Sequence, residues 1–332
     1  MSRRRVAIVG ATGAVGRELL RLMGEREFSL GSLRLFASPR SAGQALAFRG
    51  ERIRVEVLTE GALDGVDLAF FSAGAGVARD HAQAAVAGGC VVIDNSSAFR
   101  EDADVPLVVP EANGAALSGH GGLISSPNCT VTILALALAP LHAAAGLRRV
   151  IVSTYQAASG AGQRAVAEMF QGARAVLDGV PAPAPAALPA SLAFSLFPQV
   201  GEFARDGSTT EEGKVRAELR RILGAETLPV DATCVRVPVA RCHSASVSVE
   251  LARDVDLEEA QAILGAAPGL IVAGLDDAHD YPTPESFGGV DGCGIGRIRR
   301  AQALDPGLSF WMCGDQLRKG AALNAIQIAE AL

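Results

Sequence analysis

The apolar positions of the first 125 residues fall in short β-branched and aromatic runs, with helix-spaced stretches between them. "RVAIVG" leads into a helical stretch from Ala14 to Met23; "SLRLFAS", "RIRVEVL" and "DLAFFSAG" follow, then Ala78 to Ala87 and "VVIDNSS". Runs that are apolar on both faces and alternate with helices belong to a parallel sheet covered on both sides. Beyond about residue 148 the pattern changes to longer strands, "RRVIVSTYQ", "ATCVRVPVA", "SASVSVEL" and "GRIRRA", separated by helical stretches from Gly162 to Leu177 and from Thr210 to Leu223. The proline- and alanine-rich stretch Gly179 to Ala190 cannot hold a helix and is expected as an extended surface loop. The closing run "KGAALNAIQIAEAL" returns to an amphipathic helix, expected to pack on the first domain.

The chain has 332 residues, 49% of them hydrophobic, which is enough for two domains with separate cores. A formal charge of -6 supplies no field for a polyanion, so nucleic acid is not an expected partner. The six cysteines include no CxxC pair, which argues against a zinc knuckle or a disulfide scaffold and for reduced thiols in the cytoplasm, with no metal. The longest apolar stretch, Thr130 to Leu147, is interrupted by Pro140 and His142, short of the ~20 residues a membrane helix needs. A soluble protein without a membrane partner is expected.

In "AIVGATGAVGREL", Gly10, Gly13 and Gly16 lie between a strand and a helix. Glycines permit the tight turn there, and the amides of Thr12, Gly13, Ala14 and Val15 can cradle a pyrophosphate at the positive end of the helix dipole. The end of the second strand decides between cofactors, since an acidic residue there takes the ribose 2'-hydroxyl of NAD. This chain instead has "FASPRSAG", with Ser38, Arg40 and Ser41 and no acid, so the expected cofactor is NADP.

"SSPNCTVTILALALAPL" sets a thiol ahead of an apolar run. With Ser126 as N-cap and Pro127 at the first helical position, Cys129 falls in the first turn, where unpaired amides favour an anion and lower a thiol pKa from its usual ~8.5. The apolar residues after it, among them Ile133, Leu134 and Leu138, make a buried mount. A nucleophilic thiol beside a nicotinamide suggests aldehyde oxidation through a thiohemiacetal and a thioester. Cys90, Cys234 and Cys313 are expected as small buried hydrophobes.

"GATGAVG", "DNSSAFR", "SSPNC", "STYQAASGAG", "TTEEGK", "RVPVARCHS" and "LRKGAALNAIQIAE", all in order, resemble the aspartate-semialdehyde dehydrogenase family over nearly the whole chain. The resemblance implies a Rossmann-like NADP-binding domain at 1–127, joined by a C-terminal helix at about 315–332, and an α+β catalytic and dimerisation domain at 128–314, in an α/β homodimer. It implies NADPH-dependent reduction of L-aspartyl 4-phosphate to L-aspartate 4-semialdehyde and phosphate, a step toward lysine, threonine, methionine and isoleucine.

On this resemblance Cys129 forms the acyl thioester, His243 is the acid/base and Gln156 orients the substrate. Arg236 binds the substrate carboxylate, a bidentate task suited to a guanidinium, and Glu211 its ammonium. Lys214 and Arg100 take the phosphate, and Asn128, beside the thiol, joins the substrate site. Ser159, Gly160 and Gln316 meet the cofactor. Three positions depart from the family pattern: Cys242 stands where a glycine usually precedes the histidine, Gln316 replaces an asparagine, and "WMCGD" places Cys313 nearby, expected as core. His81, His120, His142 and His279 lie outside the matched motifs and are read as structural. A related reductase of an N-acetylglutamyl phosphate is disfavoured by Glu211, which would face no charge on an acylated amine, and a non-catalytic paralogue by the presence of Cys129.

Overall fold

The computed structural model describes residues 4–275 and 279–332. The elements of the first part of the chain are β1 (Arg4–Val9), α1 (Ala14–Glu25), β2 (Leu30–Ala37), β3 (Ala45–Phe48), β4 (Glu51–Val57), β5 (Leu68–Phe71), α2 (Ala75–Ala87), β6 (Val91–Asp94), α3 (Pro110–Asn113) and β7 (Leu123–Ser125). Then come α4 (Cys129–Ala145), β8 (Leu147–Gln156), α5 (Gln163–Leu177), α6 (Thr210–Leu223), β9 (Val230–Arg236), β10 (His243–Leu251), α7 (Leu257–Gly265), β11 (Leu270–Val272), α8 (Pro284–Phe287), β12 (Cys293–Arg300) and β13 (Gly307–Gly314), with α9 (Leu323–Glu330) last. Two compact units result, Met1–Asn128 with Gly320–Leu332, and Cys129–Lys319.

The first unit carries a seven-stranded sheet of order β3-β4-β2-β1-β5-β6-β7, parallel except for the β3/β4 pair. β1 from Val6 on, β5, β6 and β7 are buried on both faces, as their unbroken apolar runs require, whereas β4, "ERIRVEV", is mostly exposed. One face packs Leu19, Leu22 and Met23 of α1 together with Leu323, Ile326 and Ile328 of α9; the other packs Ala78, Ala82 and Ala85 of α2. The terminal helix is thus a component of this core. It is shorter than the 315–332 expected, because Asp315 through Lys319 stay with the second unit, where Asp315 accepts from the backbone of Gly289 at 2.7 Å and Leu317 at 2.9 Å.

The second unit is built on a six-stranded mixed sheet of order β11-β12-β13-β10-β8-β9. β13 and α7 were not expected from the sequence. The "DLEE" N-cap was the legible signal for α7: Asp256 accepts from Glu259 N at 2.7 Å. The stretch Gly179 to Ala190 holds no helix or strand, as its prolines dictate. Among the described residues no helix is long and apolar enough to cross a membrane.

Helix α4 begins at Cys129, later than the Ser126 cap expected. Ser125 pairs with Asp94 in the β6/β7 ladder, and Ser126 N still donates to Asp94 O at 2.8 Å. Sheet pairing therefore holds the two serines extended, and Pro127 precedes the helix. Cys129 is its first residue, at the end where amides lack intrahelical partners. The helix runs through Pro140 to Ala145, with Leu134, Leu138 and Leu141 fully buried, so its packing offsets the bond that proline removes.

Candidate functional site

In the first unit the strand order reverses between β1 and β5, and the chain leaves β1 at Gly10. A crevice beyond the carboxyl ends of the strands at such a switch point is where open α/β sheets take ligands. Gly10 has φ +92°, and a Cβ there would lie 2.7 Å from the Ser72 backbone; a Cβ on Gly16 would lie 2.3 Å from Gly10 O. Glycine is required at both. Gly13 is the N-cap of α1, with no side-chain cap and no acid in the first turn, which leaves the amide end of the helix open to a phosphate.

Ser38 and Arg40 are exposed after β2, at a short turn over Pro39–Ser41, and no carboxylate follows that strand. The glycines and the open helix end fit a nicotinamide dinucleotide. The sequence reading missed Asn95, directly after β6. Both atoms of its side-chain amide are buried without a protein partner, while its main-chain oxygen accepts from Arg100 at 2.8 Å. Arg100 also donates to Ser126 O at 3.0 Å, so two strand ends hold its guanidinium in place. Asn128 is buried close by in sequence.

The other predicted groups converge in the second unit. In the β10-β8-β9 part of the sheet, His243 pairs with Gln156, and Gln156 with Arg236. One row across three strands therefore holds all three, each at least 95% buried. Gln156 donates to Glu211, in the first turn of α6, at 3.3 Å. Lys214 lies 3.7 Å from Glu211, one helical turn on. Arg236 Nη1 donates to Ala157 O at 2.7 Å, and Ala157 N donates to His243 Nδ1 at 3.1 Å, so one residue's backbone ties both side chains. Cys129 is near enough to Arg236 for a thiolate charge to raise the guanidinium pKa, against the larger lowering from burial.

Burial, and after it the charge of Arg236, depresses the His243 pKa to about 3, with the Cys242 carbonyl acting in the opposite sense. Gly160 faces these groups: a Cβ there would lie 2.8 Å from Arg236 Nη1 and 3.1 Å from His243 Nε2. Gln316 accepts from Cys242 N at 2.7 Å and donates to Ser159, whose hydroxyl in turn donates to Ala240 O. Cys242 has φ +75°, a region that favours glycine. Its thiol donates to the Cys313 sulfur, which with burial pushes its pKa up and lowers that of Cys313. Burial first, with the Asp67 charge for Cys90 and those of Glu211 and Glu212 for Cys234, pushes these two thiols up to about 12, where a thiol is inert. His120 and His142 accept from Gly122 N and Leu147 N and serve local backbone structure.

Residues 5–120 match the profile of the semialdehyde dehydrogenase NAD binding domain, and residues 138–319 that of the semialdehyde dehydrogenase dimerisation domain. Fold and site thus define a nicotinamide-nucleotide-binding dehydrogenase of semialdehydes. The chain is 44% identical over 331 residues to an aspartate-semialdehyde dehydrogenase of Aquifex aeolicus, covering 99% of this chain and 97% of that one. It is 45% identical over 328 residues to one of Synechocystis, with the same shares covered. A crystal structure of aspartate semialdehyde dehydrogenase II from Vibrio cholerae, complexed with ASA, is alike at a TM-score of 0.96, with 38% identity over 100% of this chain and 98% of that one. The chain belongs to the aspartate-semialdehyde dehydrogenase family, oxidoreductases that act on an aldehyde group.

Proposed function

We propose that this chain is an NADP-dependent aspartate-semialdehyde dehydrogenase, which reduces L-aspartyl 4-phosphate to L-aspartate 4-semialdehyde and phosphate and runs the reverse reaction with phosphate. The observation that carries the substrate choice is the contact of Gln156 with Glu211 beside Arg236. A buried guanidinium suits the α-carboxylate of an amino acid and a nearby carboxylate its ammonium. An N-acylated substrate would leave Glu211 without a cation, a cost that argues against it.

In this reading the Cys129 sulfur attacks the acyl carbon and phosphate leaves, giving a thioester. Lys214 and Arg100 receive the phosphate, and Asn128 lies beside the thiol on the substrate side. The nicotinamide, when bound, supplies hydride in the reductive direction. Gly10, Gly13 and the amides of Thr12, Ala14 and Val15 hold the pyrophosphate, and Ser38, Arg40 and Ser41 the 2'-phosphate. Ser159 and Gly160 border the nicotinamide side, and Gln316 braces Ser159 against Cys242 through both ends of its amide. Phe170, Leu177, Phe194, Leu196 and Phe203 are exposed in the second unit, and a second copy of the chain is the partner that would cover them. Six cysteines without a disulfide suit the cytoplasm.

The test follows NADPH absorbance with aspartate semialdehyde, NADP and phosphate. The native protein should form NADPH only with phosphate present, and Cys129→Ala should bind NADP without turnover. Arg40→Ala should raise KM for NADP by ~10- to 100-fold and leave that for NAD unchanged, the effect of losing a charge-assisted contact. Turnover of the N-acetylated semialdehyde in preference to the free amine would overturn the substrate assignment.

A further inference from the structure

Three strands of the first sheet, β1, β5 and β6, end in one row. Val9 pairs with Phe71 and Phe71 with Asp94, and the next residues, Gly10, Ser72 and Asn95, carry the ladder one step further. Ser72 N donates to Val9 O at 2.8 Å and Asn95 N to Phe71 O at 2.9 Å. Asn95 therefore stands two strands from Gly10, ~10 Å along the row at the usual strand spacing. Its backbone is fixed on both sides, since its oxygen accepts from Arg100 at 2.8 Å. Nδ2 and Oδ1 of its side chain are both buried and pair with no protein group. Its neighbours are satisfied within the chain: Asp94 accepts from Ser96 N at 3.0 Å and Ser96 Oγ at 2.7 Å, and Ser72 Oγ donates to Val9 O at 3.1 Å. Buried polar groups are paired as a rule, so this one amide points to a partner outside the chain.

The strand order sets which half of a dinucleotide reaches this place. Along β2-β1-β5-β6, the turn of Ser38 and Arg40 follows β2, the glycine loop follows β1 and Asn95 follows β6. With the pyrophosphate at the loop and the adenosine ribose toward β2, the other half extends across the switch point over β5 and β6. That half is a ribose and a nicotinamide ring, and the ring carries a carboxamide. A group that meets both ends of the Asn95 amide must accept and donate at once. A fully ionised phosphate or a carboxylate has no proton for Oδ1. A carboxamide has one C=O and one NH2, the same pair in the same plane, and satisfies both ends side by side.

We propose that Asn95 recognises the carboxamide of the nicotinamide, its Nδ2–H donating to the carboxamide oxygen and its Oδ1 accepting from the carboxamide NH2. It is a positioning residue. Two coplanar hydrogen bonds fix the rotation of the ring about the bond to its ribose, and with it the face presented for hydride transfer. The rigid backbone of Asn95, held by Phe71 O on one side and Arg100 on the other, makes that rotation a property of the sheet edge. The direction of the dinucleotide along the row rests on the reading of Ser38, Arg40 and Ser41 as the 2'-phosphate site.

Isothermal titration calorimetry on the full chain tests this without turnover. The ligands are NADP, its 3-acetylpyridine analogue, in which a methyl replaces the carboxamide NH2, and 2'-phospho-ADP-ribose, which ends at the ribose. The native protein should bind NADP at least ~10-fold more tightly than the analogue, the size of a buried acceptor left unpaired. In Asn95→Ala and in the similarly shaped Asn95→Leu that preference should fall to about 2-fold or less, because no acceptor remains to be left unpaired. 2'-Phospho-ADP-ribose should bind both variants as it binds the native protein. Alanine opens space and leucine fills it, so a folding defect in one variant leaves the other to decide.

A preference that survives unchanged in the variants would overturn the proposal, as would a native protein that binds NADP and the analogue alike. Equal weakening of all the ligands, with native circular dichroism spectra, would also overturn it and move Asn95 to the ribose. Titrations with NAD and its own 3-acetylpyridine analogue keep the two readings apart. If NAD binds as tightly as NADP, the assignment of Ser38, Arg40 and Ser41 fails, while the carboxamide preference still stands or falls by the Asn95 variants.

Discussion

Gln156 Nε2 lies 3.3 Å from Glu211 Oε1, joining the last residue of β8 to the first turn of α6. Both side chains are almost fully buried, so the contact holds a carboxylate at the end of the same strand row that presents Arg236. Replacing Glu211 with Gln should leave the hydrogen bond to Gln156 feasible but remove the charge. The expected result is a ~10- to 100-fold fall in kcat/KM for aspartate semialdehyde, the size of a lost charged hydrogen bond, with NADP affinity unchanged. Steady-state kinetics with a fluorescence titration of NADPH read both quantities.

Gly160→Ala should be far more damaging than its size suggests. The new Cβ would sit 2.8 Å from Arg236 Nη1 and 3.1 Å from His243 Cε1 and Nε2, and all three atoms belong to braced side chains. A displacement of about 1 Å in such groups can cost ~10²-fold. We expect a loss of that order in kcat/KM with a native circular dichroism spectrum; an active Gly160→Ala enzyme would contradict the tightness of the site.

Glu212, the neighbour of Glu211, binds no substrate in this scheme. One oxygen accepts from Thr209 N at 2.6 Å and the other from Cys234 N at 2.8 Å, while its own N–H goes to Thr209 Oγ1 at 3.3 Å. It closes the capping box of α6 and ties that helix to β9, two residues before Arg236. Glu212→Ala leaves two buried donors unpaired, so urea unfolding should show a loss of about 3 kcal/mol. A change under ~1 kcal/mol would mean that these amides find other partners.

The buried imidazole makes stability depend on pH. His243 has a folded pKa of about 3 against an ordinary 6.5, so below the higher value the unfolded chain binds the proton and the folded one does not. Its contribution is complete above pH 6.5 and is lost as pH falls from 6.5 toward 3, at up to ~1.4 kcal/mol per pH unit. Denaturant midpoints measured down that range should fall less steeply in His243→Gln than in the native protein.

Local signals in the sequence mark most of the candidate site. The glycine loop, the Ser38–Arg40–Ser41 turn and the thiol at a helix start each rest on a few consecutive residues, and α6 begins at Thr210 behind a capping box written in "TTEE". The start of α4 was misplaced because proline and serine propensities favour Ser126, whereas a ladder to Asp94, distant in sequence, keeps it extended. Cys242 stood out as an unusual residue before the histidine; the left-handed backbone that explains the usual glycine there became visible only in the fold.

By itself, then, the sequence determined most of the segments that form strands or helices, β13 and α7 apart, and which side-chain chemistry each carries, because burial pattern, caps and glycine freedom are properties of neighbouring residues. Tertiary structure alone decided that Gln156, Arg236 and His243 share one row, that Asn95 keeps an unpaired amide, and that the Ala157 backbone serves two side chains at once. Those relations depend on strand register and on backbone groups that every residue has, so no residue type announces them in advance.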